Sequence, residues 1–96
     1  MDYNFAWDAD KARQNLRKHA EGFRQAATVF RDPGALSLYD AEHSAEEDRW
    51  ITLGLSAGGG LVVVHHTFEE LDAGGVRIRI FSARKATKRE VAQYGK

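Results

Sequence analysis

Val76-Arg77-Ile78-Arg79-Ile80-Phe81-Ser82-Ala83-Arg84-Lys85-Ala86-Thr87-Lys88-Arg89-Glu90 reads as a strand, a bend and a capped helix in direct succession. Val76, Ile78 and Ile80 alternate with Arg77 and Arg79. Successive strand side chains point to opposite faces, so this strand has one apolar face and one basic face. Thr87 followed three places later by Glu90 has the form of a capping box, which opens a short helix with Val91 and Tyr94 available for packing. A sheet that buries one side only needs a layer of helices on that side, and the α+β class follows.

Working outward, Trp50 to Leu55 also alternates, with Ile51, Leu53 and Leu55 on one side. Leu61 to His66 is β-branched and apolar, and Ser56-Ala57-Gly58-Gly59-Gly60 is a connection of hairpin length, so these two strands pair antiparallel. Leu36-Ser37-Leu38-Tyr39 is a further short strand. Before it the period changes. Asp8 is a helix N-cap followed by Ala12, Leu16 and His19 at helical spacing, with Gly22 as the stop. Phe23, Ala26, Ala27 and Phe30 fall at i, i+3, i+4 and i+7 of a second helix, which Asp32-Pro33-Gly34 ends. The expectation is one domain over residues 1–96: two N-terminal helices on one face of a small antiparallel four-stranded sheet, and a short C-terminal helix.

The net charge of zero hides an imbalance. From Val76 onward seven Lys or Arg stand against one acid, whereas the preceding residues hold thirteen acids against seven bases. Clustered guanidinium groups suit phosphate, because each offers a planar fork that pairs with two oxygens, and nucleic acid is the first partner to consider. With 43% hydrophobic and 29% charged residues the composition is that of a globular protein, and the absence of cysteine excludes thiolate chemistry and disulfides. Met1 to Phe5 lacks the pattern of a signal peptide, and the apolar run Leu61–Val64 is too short to cross a bilayer, so a cytoplasmic protein without membrane contact is expected.

Phe5-Ala6-Trp7-Asp8, Lys11, Asn15, Lys18-His19, Phe23, Asp32-Pro33, Asp48-Arg49-Trp50-Ile51-Thr52-Leu53-Gly54 and Arg79 to Glu90 together resemble the BrnT toxins of bacterial type II toxin–antitoxin modules, from end to end and in the family's order. The resemblance implies a RelE-like fold and a ribonuclease that blocks translation. It also implies a BrnA-type ribbon-helix-helix antitoxin, two toxins per antitoxin dimer, and operator binding only through that antitoxin. Two departures stand out. Ala20 follows Lys18-His19 where glycine is usual, and Asp48 precedes Arg49 where glutamate is commoner.

The residues support the same chemistry. RNA cleavage without a metal or other cofactor requires a group to activate the 2′-hydroxyl, cations to neutralise the phosphate and an acid for the leaving oxygen. Arginine, with a pKa above ~12, serves only the second task, whereas lysine and histidine can exchange protons. Lys18 is the expected proton-transfer group, with His19 sharing that work, and Arg49, Arg79 and Arg84 are the expected phosphate-stabilising residues. Arg84 is favoured by its place before a helix start. Arg77, Lys85, Lys88 and Tyr94 are expected to assist RNA binding.

Each has a structural alternative. Lys18 and His19 can serve the helix C-terminus, Arg49 can form a surface ion pair, and Arg77 and Arg79 can be a solvated strand face. Trp7 and Trp50 are expected in the core. His65 and His66, as strand neighbours, point to opposite faces and cannot chelate one ion; one of them faces the basic side. The acidic stretch Asp40–Asp48 is expected to be a solvated loop. The competing class is a non-catalytic module that binds nucleic acid or its partner in autoregulation, and Lys18→Arg separates the two, since only catalysis needs a group able to release its proton.

Overall fold

The computed structural model describes residues 2–95; Met1 and Lys96, the latter counted in the basic C-terminal stretch, lie outside the described residues. The order is β1 (Tyr3–Ala6), α1 (Ala9–His19), α2 (Phe23–Ala27) running into a 3-10 turn (Thr28–Arg31), and β2 (Leu36–Tyr39). A second 3-10 turn (Ala41–His43) follows, then β3 (Arg49–Leu55), β4 (Leu61–Thr67), β5 (Glu69–Glu70), β6 (Val76–Lys85) and α3 (Lys88–Gln93). The strands form one sheet in the order β1-β6-β4-β3-β2, with β5 also paired to β6.

The sheet is mixed rather than purely antiparallel. β1 pairs in parallel with β6, from Tyr3 opposite Val76 to Ala6 opposite Arg79, and the remaining pairs are antiparallel. β1 is short and wholly exposed in pattern, so it carries no buried alternation by which to be read. β6 is also longer than expected. It runs unbroken through Phe81–Lys85, the segment read as a bend, because β4 continues to pair with it as far as Val62 opposite Lys85.

The core lies on one face. Val62 and Val64 of β4 and Val76, Ile78, Ile80 and Ala83 of β6 meet Phe23, Ala26, Ala27 and Val29, all buried, with Trp7, Ala12 and Phe30 packed around them. On β3 the side turned to the helices is not the one that carries Ile51, Leu53 and Leu55. Thr52, Gly54 and half-buried Trp50 face the helices, while Ile51, Leu53 and Leu55 belong to the opposite face, and of these three only Leu53 is buried. The reason is Gly54: a Cβ there would stand 2.9 Å from Val29 Cβ, so the smallest residue marks the closest approach between strand and 3-10 turn.

Helix α1 is capped as expected, Asp8 accepting the Lys11 N–H, but its buried position is Asn15 and Leu16 is exposed. β1 leaves the second half of β6 without a neighbour on that side. There Asn15 lies against the strand, Nδ2 donating to Ala83 O at 2.8 Å and Oδ1 accepting from Ala83 N at 3.1 Å, which is the pair of bonds a further strand would supply. The helix ends at Ala20, two residues before Gly22, with φ of 56°. It is the only non-glycine with positive φ among the described residues, and it stands where the BrnT resemblance calls for glycine.

Candidate active site

The face of the sheet away from the core is organised by a bulge. His65 pairs with Ser82 and His66 with Ile80, so Phe81 of β6 has no partner; bulges of this kind re-aim side chains. The Phe81 ring gathers three cations: Arg49 at 4.2 Å, Arg79 at 5.0 Å and Lys11 at 5.5 Å from its centroid. An aromatic face holds cations through its quadrupole while leaving their N–H donors free. Phe81 and Ser82 also line a shallow depression with Lys11, Gln14, Asn15, Lys18 and His19 of α1. The bulge therefore joins the helix residues Lys18 and His19 to the strand residues Arg49 and Arg79, which lie far apart in sequence.

Glu47 lies between the two arginines. Its Oε1 accepts from Arg79 at 2.5 Å and from Arg49 at 3.4 Å. The hydrogen bond from Arg79 holds its carboxyl below the usual range, against the cost of burial. Arg49 Nε is buried and has no acceptor among the described residues, and an orphaned buried donor calls for an explanation. The acidic segment is thus not simply a solvated loop. Glu47 enters the basic site, Asp48 instead accepts from Tyr39 Oη at 2.9 Å, and Asp40 bonds His43 Nδ1 at 2.9 Å. The departure from glutamate at Asp48 falls on a residue turned to Tyr39, and the carboxylate that reaches the arginines is its neighbour.

The two histidines have opposite fates. His65 lies on the open face between Ile51 and Ser82, in rows flanked by Arg49 opposite Thr67 on one side and Val63 opposite Arg84 on the other. Partial burial, and then the charge of Arg84, lower its pKa, so it is a neutral proton acceptor at pH 7. His66 is buried on the core side, packed edge-on against Phe30 at 4.7 Å. Register decides this assignment, which alternation alone leaves open.

The remaining candidates fall outside this cluster. Arg84 forms a bidentate pair with Glu90 at 2.8 and 3.0 Å; Glu90 also closes the capping box of α3 by accepting from Thr87 N. These contacts, led by the Arg84 bond, take the Glu90 carboxyl down to about 2. Arg77 is exposed and pairs with Glu69 at 3.1 Å. Lys85 and Lys88 are exposed at the far end of β6 and the start of α3. Tyr94 donates to Asp32 Oδ2 at 2.6 Å, which raises the phenol pKa and anchors the C-terminal segment. Lys11, Phe81 and Glu47 were not singled out as site residues, and of the two histidines the sequence left open which one faces the basic side. The aromatic platform is invisible without the bulge, whereas Lys11 is recoverable as the residue two helical turns before Lys18 on one helix face. Among the described residues no three His, Asp or Glu side chains are placed to hold a metal ion.

Comparison with known proteins gives the family and the fold. The model of the ribonuclease toxin BrnT of type II toxin–antitoxin systems matches residues 7–90. The fold is similar to that of the crystal structure of the Brucella abortus ribonuclease toxin BrnT, with a TM-score of 0.61 and 18% identity, over 92% of this chain and all of that one. No curated protein matches the chain. With the family model covering most of its length, the chain belongs to the BrnT family of ribonuclease toxins of type II toxin–antitoxin systems.

Proposed function

We propose that this toxin is a metal-independent endoribonuclease of the RelE-like kind, which cleaves RNA, blocks translation and is neutralised by a BrnA-type antitoxin. The observation that carries the reading is the buried Nε of Arg49, unpaired beside Arg79 on the Phe81 ring. The two non-bridging oxygens of an RNA phosphodiester supply the missing acceptor for Arg49 and an acceptor for the Arg79 fork, displacing Glu47. Fixed cations at the phosphate act where charge grows in the transition state and take the part a metal ion plays elsewhere. A base removes the 2′-hydroxyl proton, the 2′-oxygen bonds to phosphorus, the bond to the 5′-oxygen breaks, and an acid protonates that oxygen. Lys18 and His19, on the wall formed by α1, and neutral His65 beside Ser82 are the groups suited to these transfers.

The test uses toxin freed of its antitoxin and single-stranded RNA in excess EDTA. Cleavage is expected to persist, to fall with Lys18→Arg and to stop when the antitoxin is restored in a complex of two toxins per antitoxin dimer. Cleavage that returns only with magnesium would overturn the mechanism.

A further inference from the structure

On the core side of the sheet, behind the arginines, a cavity of about 340 Å³ is lined by Tyr3, Phe30, Trp50 and Phe68, with Asp32, Ser37, Thr52 and His66 among its polar groups. Its rim is open, since Tyr3, Ser37 and Phe68 are exposed. Aromatic walls with a few convergent polar atoms are the usual form of a small-ligand pocket.

The polar wall has a fixed direction. His66 Nδ1 is 2.7 Å from the Thr67 carbonyl, which only accepts, so Nδ1 carries the proton. Burial holds the ring neutral, with a pKa of about 4, so Nε2 is an acceptor and takes the Thr52 hydroxyl proton at 2.6 Å. Thr52 has then no proton for Ser37, and the 2.8 Å contact between them is Ser37 donating to Thr52. The Thr52 and Ser37 protons are both used inward, leaving Ser37 as an acceptor. Asp32, held ionised by bonds from Tyr94 and the Leu55 and Gly34 backbone, also only accepts. A ligand that stacks on these rings and sets a polar edge against the Ser37 and Asp32 wall must donate there.

The cavity is coupled in space to the arginine site. Trp50 follows Arg49 on β3, and Thr67, whose carbonyl holds His66, accepts the Arg79 backbone N–H at 2.9 Å through its hydroxyl. The two sites lie back to back on opposite faces of the sheet, at the end where β3 begins and β4 ends. Resting on the ribonuclease reading, we propose that this cavity is a base-binding subsite that stacks one RNA base between aromatic rings and selects bases bearing an exocyclic amino group over uracil. Base stacking on aromatic side chains is the common mode of single-strand recognition. Uracil offers one N–H flanked by two carbonyls, which would face the acceptors.

The test is titration of the Arg79→Ala protein with adenosine, cytidine and uridine, followed by NMR at the Trp50 indole N–H and the Ser37 and Phe68 amides. Shifts at these positions are expected, with uridine at least about fivefold weaker than the amino-bearing nucleosides and Ser37→Ala abolishing the difference. Shifts confined to the Arg49 face, equal binding of all three nucleosides, or a preference that survives Ser37→Ala each overturn the subsite. Cleavage by the wild type is measured in parallel. Base binding in the cavity without any cleavage overturns the ribonuclease reading and leaves the subsite standing.

Discussion

The two faces of the sheet are made from the same strands and yet follow opposite rules. On the core face of β6, Val76, Ile78 and Ile80 are at most 1% exposed, and even the histidine there is stripped of its charge. On the other face Arg79 is 45% exposed, an Arg49 donor is buried without a partner, and a carboxylate occupies the space between two cations. Along β6 the first face is closed by apolar packing, whereas the second leaves a buried donor unpaired, the feature on which the proposed phosphate site rests. Groups that look alike in sequence, such as His65 and His66, or Arg79 and Arg84, therefore differ in what their loss should do.

The largest effect that can test this contrast is on the open face. Arg79→Ala is expected to reduce RNA cleavage by at least about a hundredfold, while stability changes by about 0.5 kcal/mol or less. Cleavage assays beside thermal melts check it, and a variant that still cleaves at the wild-type rate removes Arg79 from the site. On the core face Ile78→Ala is expected to do the reverse, costing roughly 2–5 kcal/mol in urea unfolding through the cavity it leaves, with cleavage retained wherever the chain remains folded.

His66 provides the pH test. Its folded pKa of about 4 is depressed by burial, against the pull of the Thr67 carbonyl, and the unfolded side chain titrates near ~6.5. A depressed folded pKa means the contribution is fully present above ~6.5 and is lost as pH falls towards 4, a decrease of about 3 kcal/mol. Urea midpoints between pH 7.5 and 4 should show this fall, and His66→Gln should flatten it; an unchanged slope in the variant would place the titration elsewhere. The smallest effect concerns the joint between the faces. Ala20→Gly should stabilise the chain by about 1 kcal/mol by relieving a left-handed backbone, seen as a higher melting temperature with unaltered cleavage.

Local signals carried much of the fold. The alternation in β6, the Asp8 cap, the helical spacing from Phe23 and the Thr87 capping box each depend on neighbours in sequence, and each stands in the structure, although the second helix is α-helical only to Ala27 and carries Phe30 in a 3-10 turn. What escaped depends on register or on close approach. β1 is a strand only because β6 lies beside it, the helix-facing side of β3 is marked by its glycine rather than by its leucines, and Asn15 outranks Leu16 because Ala83 needs its amide. In the site, Lys18, His19, Arg49 and Arg79 were legible from the family's motifs. The place of Phe81, the choice of His65 over His66 for the open face, and the contact of Glu47 rather than Asp48 with the arginines required the bulge and the strand pairing to be known.

The amide of Asn15 also has a meaning beyond the single molecule. An unsheltered strand margin is a template on which a second copy can build, and the usual protections are charge, proline or a covering element. Here one side chain guards that margin at Ala83. Replacing it by leucine would satisfy helix packing and leave the margin open to growth of the sheet from molecule to molecule, so the hazard of losing Asn15 is self-association as much as unfolding.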